Sequence, residues 1–431
     1  MVEGGLNMID CSGTPGIGKG LQVRCPALSK LPPPPPGKVG WPWTEETPLV
    51  PDAMPDGHPW PLISVVTPSY NQGQFIEGTI RSVLLQGYPR LQYIVIDGGS
   101  TDGSPEVIRK YEQWLAYWAS EPDRGQAHAI NKGFQRATGE ICAWLNSDDE
   151  YCRKALHVVA RSFREQPDRE LVYADCKAID AEGNTIDSIR GRRGDLAQLL
   201  MGNFIPQPST FFRRRAWETA GGLDVGFHFA LDYDLWIRMM LNGVKSHHIP
   251  VPLSQFRWHS GSKSSTYLAR FGLEYLAILD RVFQGGHGER VESVKLHAYH
   301  RAFRMIDAVY QREIEDCQGE ISHMVGLWSR HVEKYQRDYM RNPRLWGESL
   351  YHIGKNYCFQ GHMRQGRRFF SMALRVDKRA YKALVGWAMA LPGVRPYRWY
   401  TKMRHALLRL LLRLNVQFPR TPYERVCWRQ R

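Results

Sequence analysis

Gly139-Glu140-Ile141-Cys142-Ala143-Trp144-Leu145-Asn146-Ser147-Asp148-Asp149 is the stretch on which the reading of this chain turns. Ile141 to Leu145 is a short apolar run between a glycine and a polar cluster, the pattern of a buried strand that stops at the open rim of a sheet. Beyond it stand two carboxylates and two neutral oxygen donors. Hard divalent cations, Mg2+ or Mn2+, take such oxygen ligands, commonly one or two carboxylates plus substrate phosphates. The same four residues also suit an ordinary surface turn, so their meaning depends on what flanks them.

Towards the N-terminus, Leu62-Ile-Ser-Val-Val-Thr-Pro-Ser-Tyr70 reads as a strand and Phe75 to Gln86 as an amphipathic helix, with Ile76, Ile80, Val83 and Leu84 on one face. Leu91 to Ile96 is a second strand, ending at Asp97-Gly-Gly-Ser-Thr-Asp102-Gly103. A helix through Val107, Ile108 and Tyr111, a brief strand Tyr117-Trp-Ala119 and a helix from Ala127 to Ala137 then lead into the opening stretch. Strand and helix in alternation give an α/β domain with a largely parallel sheet flanked by helices. Ligands of such sheets bind beyond the carboxyl ends of the strands. Asp97, Asp123 and the 146–149 cluster follow successive strands, so all three acidic groups are expected on one rim. Further on, Leu171 to Asp175 and Pro208 to Phe212 read as strands, with Arg190 to Gly194 a basic loop between them. Asp232-Tyr-Asp234 opens a helix whose dipole favours acids in its first turn. Ser254 to Ser264 is a strand end running into a polar loop that contains Arg257, His259 and Lys263.

The 431 residues allow two or three domains. Formal charge is +14, and from Pro392 to Arg431 ten Lys or Arg face a single acid, Glu424. A basic tail suits nucleic acid, an anionic membrane or an acidic partner, and charge alone does not choose. The eight cysteines form no CxxC pair, as expected of reduced thiols in a large chain. No apolar leader and no run of 18 apolar residues is visible, so a cytoplasmic location is expected. Residues 1–58, with five prolines from Pro32 to Pro36, are expected to be an unpacked, disordered arm, because prolines carry no amide donors for a ladder. Gly13 to Gly20 imitates a phosphate-binding loop, but Gly20 stands where Ser or Thr should meet Mg2+, and no strand precedes it.

In the C-terminal third, Gly285-Gly286 marks an expected boundary, which gives a domain over 59–284, a helical region over 285–392 and a basic tail over 393–431. Leu345 to Cys358 and Arg364 to Leu374 read as a helical hairpin turned at Gly361, like a single tetratricopeptide-type unit. Between Tyr397 and Val416, leucines interleave with Arg404, Arg409 and Arg413, a basic amphipathic helix that can lie on a membrane surface or pack on the protein's own core.

From Leu62 to Ser265 these motifs, in this order, resemble the family 2 glycosyltransferases and their GT-A-type fold. Ser64 to Asn71, with Pro68, Tyr70 and Asn71, is similar to the family's first strand and donor-nucleotide loop. Asp97 resembles the aspartate that contacts base or ribose, and Asp123-Arg124-Gly with Asn131-Lys132 resembles the following donor segment. Asn146-Ser-Asp148-Asp149 looks like a variant of the Asp-x-Asp element with Asn first. Asp232 stands where the family's Glu-Asp pair places its base, with Leu231 in place of the Glu, and His259 with Lys263 resembles the loop that closes over the donor diphosphate.

The resemblance implies an inverting glycosyltransferase that takes a nucleotide-sugar donor and a glycan or lipid-linked acceptor, in surface polysaccharide assembly, with no nucleic-acid partner. A cation held by Asp148, with Asp149 or His259, would neutralise the departing diphosphate. Asp232 would take the acceptor proton, with Asp234 the alternative. Two other readings stay open at this level: a non-catalytic nucleotide-sugar or glycan binder, to which Asn146 and Leu231 point, and an interaction scaffold built on the helical region and the proline-rich arm.

Overall fold

The computed structural model describes residues 24–263, 268–310 and 318–377. Residues up to Arg193 together with Phe204–Trp258 form one unit, and Gly194–Asn203 with the residues from His259 onward form a second. The division therefore falls well before the expected boundary at Gly285-Gly286.

The first unit is built in chain order from β1 (Ile63–Ser69), α1 (Ile76–Leu84), β2 (Leu91–Asp97), α2 (Ser104–Lys110), β3 (Tyr117–Ser120), α3 (Gln126–Phe134), β4 (Ile141–Trp144), β5 (Glu150–Tyr151), α4 (Ala155–Glu165), β6 (Leu171–Ile179) and β7 (Thr185–Ile189). After α5 (Leu196–Leu200), which belongs to the second unit, follow β8 (Thr210–Arg213), α6 (Arg214–Ala220), α7 (Leu231–Leu241) and β9 (Ser246–Arg257). One sheet runs β3-β2-β1-β4-β8-β6-β9-β5, with β7 paired to β6. The four strands from β3 to β4 are parallel, as the strand–helix alternation requires. Beyond β4 the sheet turns mixed, because β8 runs antiparallel to both β4 and β6.

Every residue of β1, β2 and β4 is buried, so both faces of these three strands are covered, while β3 lies at the edge. Ile76, Ile80, Val83 and Leu84, the predicted face of α1, lie at zero exposure in the main core, each worth roughly 1.5–3 kcal/mol. Strand registers fix the rim. Ser69 of β1 stands beside Asp97 of β2, and Asp97 beside Ser120 of β3, so three carboxyl ends lie level.

The proline-rich arm is a correction to the sequence reading. From residue 24 on it packs against the sheet domain, with Cys25, Leu31, Met54 and Trp60 inside the same hydrophobic core as β1 and α1. The physical reason is that prolines lack donors but keep their carbonyls. The buried Arg81 guanidinium gathers those: Nη1 donates to Pro32 O (2.8 Å), Nε to Pro42 O (3.1 Å) and Nη2 to Trp43 O (2.8 Å). Trp41 Nε1 donates to Tyr151 O at 2.8 Å. The phosphate-loop imitation at Gly13–Gly20 lies outside the described residues.

In the second unit, helices Leu268–Gln284, Gly288–Tyr310, Gln318–Lys334, Gln336–Met340, Pro343–Phe359 and Met363–Val376 follow one another. Trp328 is fully buried, stacked on Phe303 at 4.9 Å and on His352 at 5.9 Å. The expected hairpin is present within two residues of its predicted ends and turns at Gly361, whose φ of +87° suits glycine. Its helices meet glycine on glycine: a Cβ on Gly354 would stand 2.9 Å from Gly366 O. The basic tail at 393–431 lies outside the described residues, and among those described no helix is long and apolar enough to cross a membrane.

Candidate active site

The strand-end loops of the first unit are stitched to one another. Asn71, at φ +51°, donates its backbone N–H to Ser100 Oγ (2.8 Å) and accepts from Thr101 N–H through Oδ1 (2.9 Å). Asp102 accepts from Gly73 N–H at 2.8 Å and from the Ser104 hydroxyl at 2.6 Å. Burial alone would raise the Asp102 carboxyl, but these donors outweigh it and hold it below the usual range. Pro68 is buried within β1, whereas Tyr70 stands 63% exposed at the strand's end.

Asp97, expected to touch a donor, has no exposed surface. It accepts from Ser100 N–H (2.8 Å), Ser100 Oγ (2.6 Å), Gly99 N–H (3.2 Å) and Ser120 Oγ (2.7 Å). It therefore holds the loop from Gly99 to Ser100 in shape against β3. Asp123 is half-buried next door. Its Oδ1 accepts from Gly125 N–H at 2.6 Å, and a Cβ on Gly98 would come within 2.8 Å of Oδ2. Arg124 is exposed. Asn131 and Lys132 both have partners within the fold's own chain: Asn131 exchanges two hydrogen bonds with the Leu223 backbone (2.8 and 3.0 Å), and Lys132 pairs at the surface with Glu121 at 2.5 Å.

At the end of β4, Asn146 Oδ1 accepts from Gln126 Nε2 (2.7 Å) while its Nδ2 donates to Gln207 Oε1 (3.1 Å). Gln207 Nε2 in turn donates to Trp144 O at 2.9 Å. Nothing in the sequence marks Gln126 or Gln207, since a glutamine beside a turn carries no pattern. Asp149 is fully buried. It accepts from Arg257 N–H at 2.9 Å and from Asn146 Nδ2 at 3.3 Å. Burial, reinforced by the neighbouring Asp148 charge, pushes its carboxyl well above the usual range. Arg257, which the sequence places where the strand runs into the polar loop, is buried. Its guanidinium meets Glu150 Oε1 (2.5 Å) and Asp148 O (2.9 Å), pinning the cluster to β9.

Asp148 is left as the half-buried carboxylate of the cluster. Among the described residues no group of three His, Cys, Asp or Glu side chains could hold a metal ion. The expected ligand set of Asp148, Asp149 and His259 therefore does not stand as a preformed cage. Asp149 is buried and tied to backbone and amide donors. His259 and Lys263 belong to the second unit, His259 buried with its carbonyl accepting from Ser262, Lys263 exposed. One accessible carboxylate does fit a Mg2+ or Mn2+ ion that keeps waters and takes its other oxygens from substrate phosphates.

Asp232 and Asp234 share the first turn of α7 but face different surroundings. Asp234 is buried and forms an ion pair with Arg238, 2.7–2.8 Å away. Asp232 is half-buried. It lies one turn before Trp236, on the same stripe of the helix. Trp236 stacks on Trp144, the last residue of β4, with centroids 5.4 Å apart and planes 20° off parallel. That stripe therefore lies over the strand end that carries Asn146 and Asp148. Trp236 and Met239 are core residues.

The first unit is thus a mixed sheet with acidic loops along one rim and a carboxylate-bearing helix packed at the end of β4. The family model described as glycosyl transferase family 2 matches residues 64–232. An uncharacterized glycosyltransferase of Mycobacterium tuberculosis is 32% identical over 190 residues, which cover 42% of this chain and 70% of that one. A putative teichuronic acid biosynthesis glycosyltransferase of Bacillus subtilis is 40% identical over 99 residues, 22% of this chain and 39% of that one. A solved structure of Staphylococcus aureus TarS is 14% identical at a TM-score of 0.48, over 78% of this chain and 91% of that one. The chain belongs to glycosyltransferase family 2 and is a glycosyltransferase.

Proposed function

We propose that the enzyme transfers a sugar from a nucleotide-diphosphate donor to a glycan or lipid-linked acceptor with inversion, in polysaccharide assembly. The observation that carries this reading is the placement of Asp232, half-buried one helical turn before Trp236, whose ring stacks on Trp144 at the end of β4, while Asp234 is buried beside Arg238. A single base facing the acceptor, with no separate nucleophile, fits one displacement opposite the leaving group. Exposed Tyr70 and Arg124 and half-buried Asp123 would receive the nucleotide, on loops that Asp97 and Asn71 hold in shape. Asp148 would hold a Mg2+ or Mn2+ ion, which when bound offsets charge on the departing diphosphate. Asn131 and Lys132 enter as supports of the donor loop rather than as contacts. Names among the relatives support the polysaccharide setting: one is a putative teichuronic acid biosynthesis glycosyltransferase and another, from Escherichia coli, a chondroitin synthase.

The test is release of nucleoside diphosphate from a panel of nucleotide sugars with Mn2+ or Mg2+. Slow, cation-dependent hydrolysis of one donor is expected. No hydrolysis and no thermal stabilisation by any donor would leave only the non-catalytic readings.

A further inference from the structure

The sequence shows a basic loop between β7 and β8 that the donor chemistry does not use. Arg190, Arg192 and Arg193 are all exposed, and among the described residues none of the three has an ion-pair partner. Arg192 packs its guanidinium over the Phe204 ring at 5.0 Å.

The loop is built rather than loose. Asp175 Oδ1 accepts from Gly191 N–H at 3.0 Å and lies 2.7 Å from His248 Nε2. Tyr173 donates its hydroxyl to Arg192 O at 2.6 Å and stacks on His248 at 5.4 Å. The backbone at residue 191 presses so close to His248 that a Cβ there would stand 2.8 Å from the ring. Two strands thus hold the backbone of the arginine loop around a glycine whose Cβ would collide with His248.

Strand register puts this loop on the donor rim. Cys142 of β4 and Leu171 of β6 both stand opposite Phe212 of β8, and β4 and β6 run the same way. Counting on, Asp175 is level with Asn146, two strand spacings or about 10 Å away. The turn Gln207–Ser209 bridges that gap. Gln207 accepts from Asn146 and donates to Trp144 O, while Ser209 Oγ donates to Asp175 O at 2.7 Å. The acidic donor cluster and the arginine loop are therefore anchored to the two ends of one short turn.

We propose that residues 190–193 form the acceptor-recognition element, and that the acceptor carries an anionic group, carboxylate or phosphate, near the hydroxyl that receives the sugar. The inference rests on the transferase reading above. Guanidinium groups pair bidentately with either oxyanion. A neutral acceptor would have no use for three exposed cations on a loop anchored about 10 Å from the end of β4, and a merely solvated patch would not need Asp175, Tyr173 and His248 to hold its backbone.

The experiment compares wild type, R190Q/R193Q and R190Q/R192Q/R193Q by fluorescence anisotropy. The probes are labelled oligogalacturonate, a labelled prenyl diphosphate and labelled maltohexaose, at low and about tenfold higher salt. Wild type is expected to bind at least one anionic probe, to lose affinity as salt rises, and to ignore maltohexaose. The triple variant should lose roughly tenfold or more of that binding, with the double variant between. The preferred probe tells a glycan carboxylate from a lipid phosphate. Unchanged melting and unchanged UDP and GDP binding are expected in both variants. Equal anion binding by wild type and the triple variant would overturn the proposal, as would a matching loss of nucleotide binding, which would assign the loop to the donor. Donor hydrolysis measured alongside separates the two failures, since a chain that releases no nucleoside diphosphate fails on the transferase reading instead.

Discussion

Replacing Arg257 with Met should be the most informative single change in the first unit. The side chain is 5% exposed and holds four acceptors: Glu150 Oε1 at 2.5 Å, Asp148 O at 2.9 Å, and Asp180 O and Ala181 O at 3.2 Å. Met fills comparable volume, so packing changes little while Glu150 is left buried without its cation. Breaking a buried pair in this way costs about 3–5 kcal/mol. In a unit of this size that lowers the melting temperature by roughly 6–20 °C. The loss should depend on pH. Burial already raises the Glu150 carboxyl above its ordinary value, with Arg257 opposing, and burial with Asp148 raises Asp149 further. A carboxyl whose folded pKa is raised favours the folded state at low pH and costs stability as pH climbs from its unfolded value through its folded one. Without Arg257 that cost grows at neutral pH and shrinks as pH falls, because both raised carboxyls take up protons on the way down. Differential scanning calorimetry from about pH 5 to 8 measures it. A deficit that stays the same across the range would refute the reasoning, as would R257M melting within about 1 °C of wild type at neutral pH. The double variant R257M/E150Q should recover much of the loss.

Asp232→Asn should leave the melt within about 0.5 kcal/mol of wild type and keep donor affinity while cutting transfer about 10²- to 10⁴-fold. Asp234→Asn should do the reverse, destabilising through the orphaned Arg238, and retained turnover in D232N would move the base elsewhere. Asp148→Ala should abolish the Mn2+-dependent part of nucleotide binding seen by calorimetric titration; equal binding with and without Mn2+ in wild type would remove the cation from this site. Arg81→Ala should expose residues 32–43 to limited proteolysis and cost about 3 kcal/mol or more, since three arm carbonyls and the Tyr111 hydroxyl lose their donor.

The parallel half of the sheet was legible because its strands obey one rule, a buried apolar run closed by a polar rim. Leu91 to Asp97 and Ile141 to Trp144 fall within a residue or two of their predicted ends. The mixed half was harder. β5 is two residues long, and β9 pairs with β6 only through register shifts around Asp175, so neither presents a periodic pattern. For the site, composition located the acidic clusters but not their division of labour. Asp97, Asp148, Asp149 and Asp232 look alike in sequence, yet Asp97 and Asp149 are fully buried while Asp148 and Asp232 are half-buried. The donors that enclose Asp97 and Asp149 include backbone N–H groups of Gly99, Ser100 and Arg257, which leave no trace in side-chain order. The arm was misread for a related reason. Proline content reports what a segment cannot donate, and says nothing of an arginine forty residues on that needs acceptors.

The fastening of that arm orders events during synthesis. Pro32, Pro42 and Trp43 leave the ribosome well before Arg81, and Trp41 must wait for the carbonyl of Tyr151, more than a hundred residues later. The stretch made early is thus fastened in two steps, its carbonyls only once α1 supplies Arg81 and the Trp41 indole only once β5 supplies Tyr151.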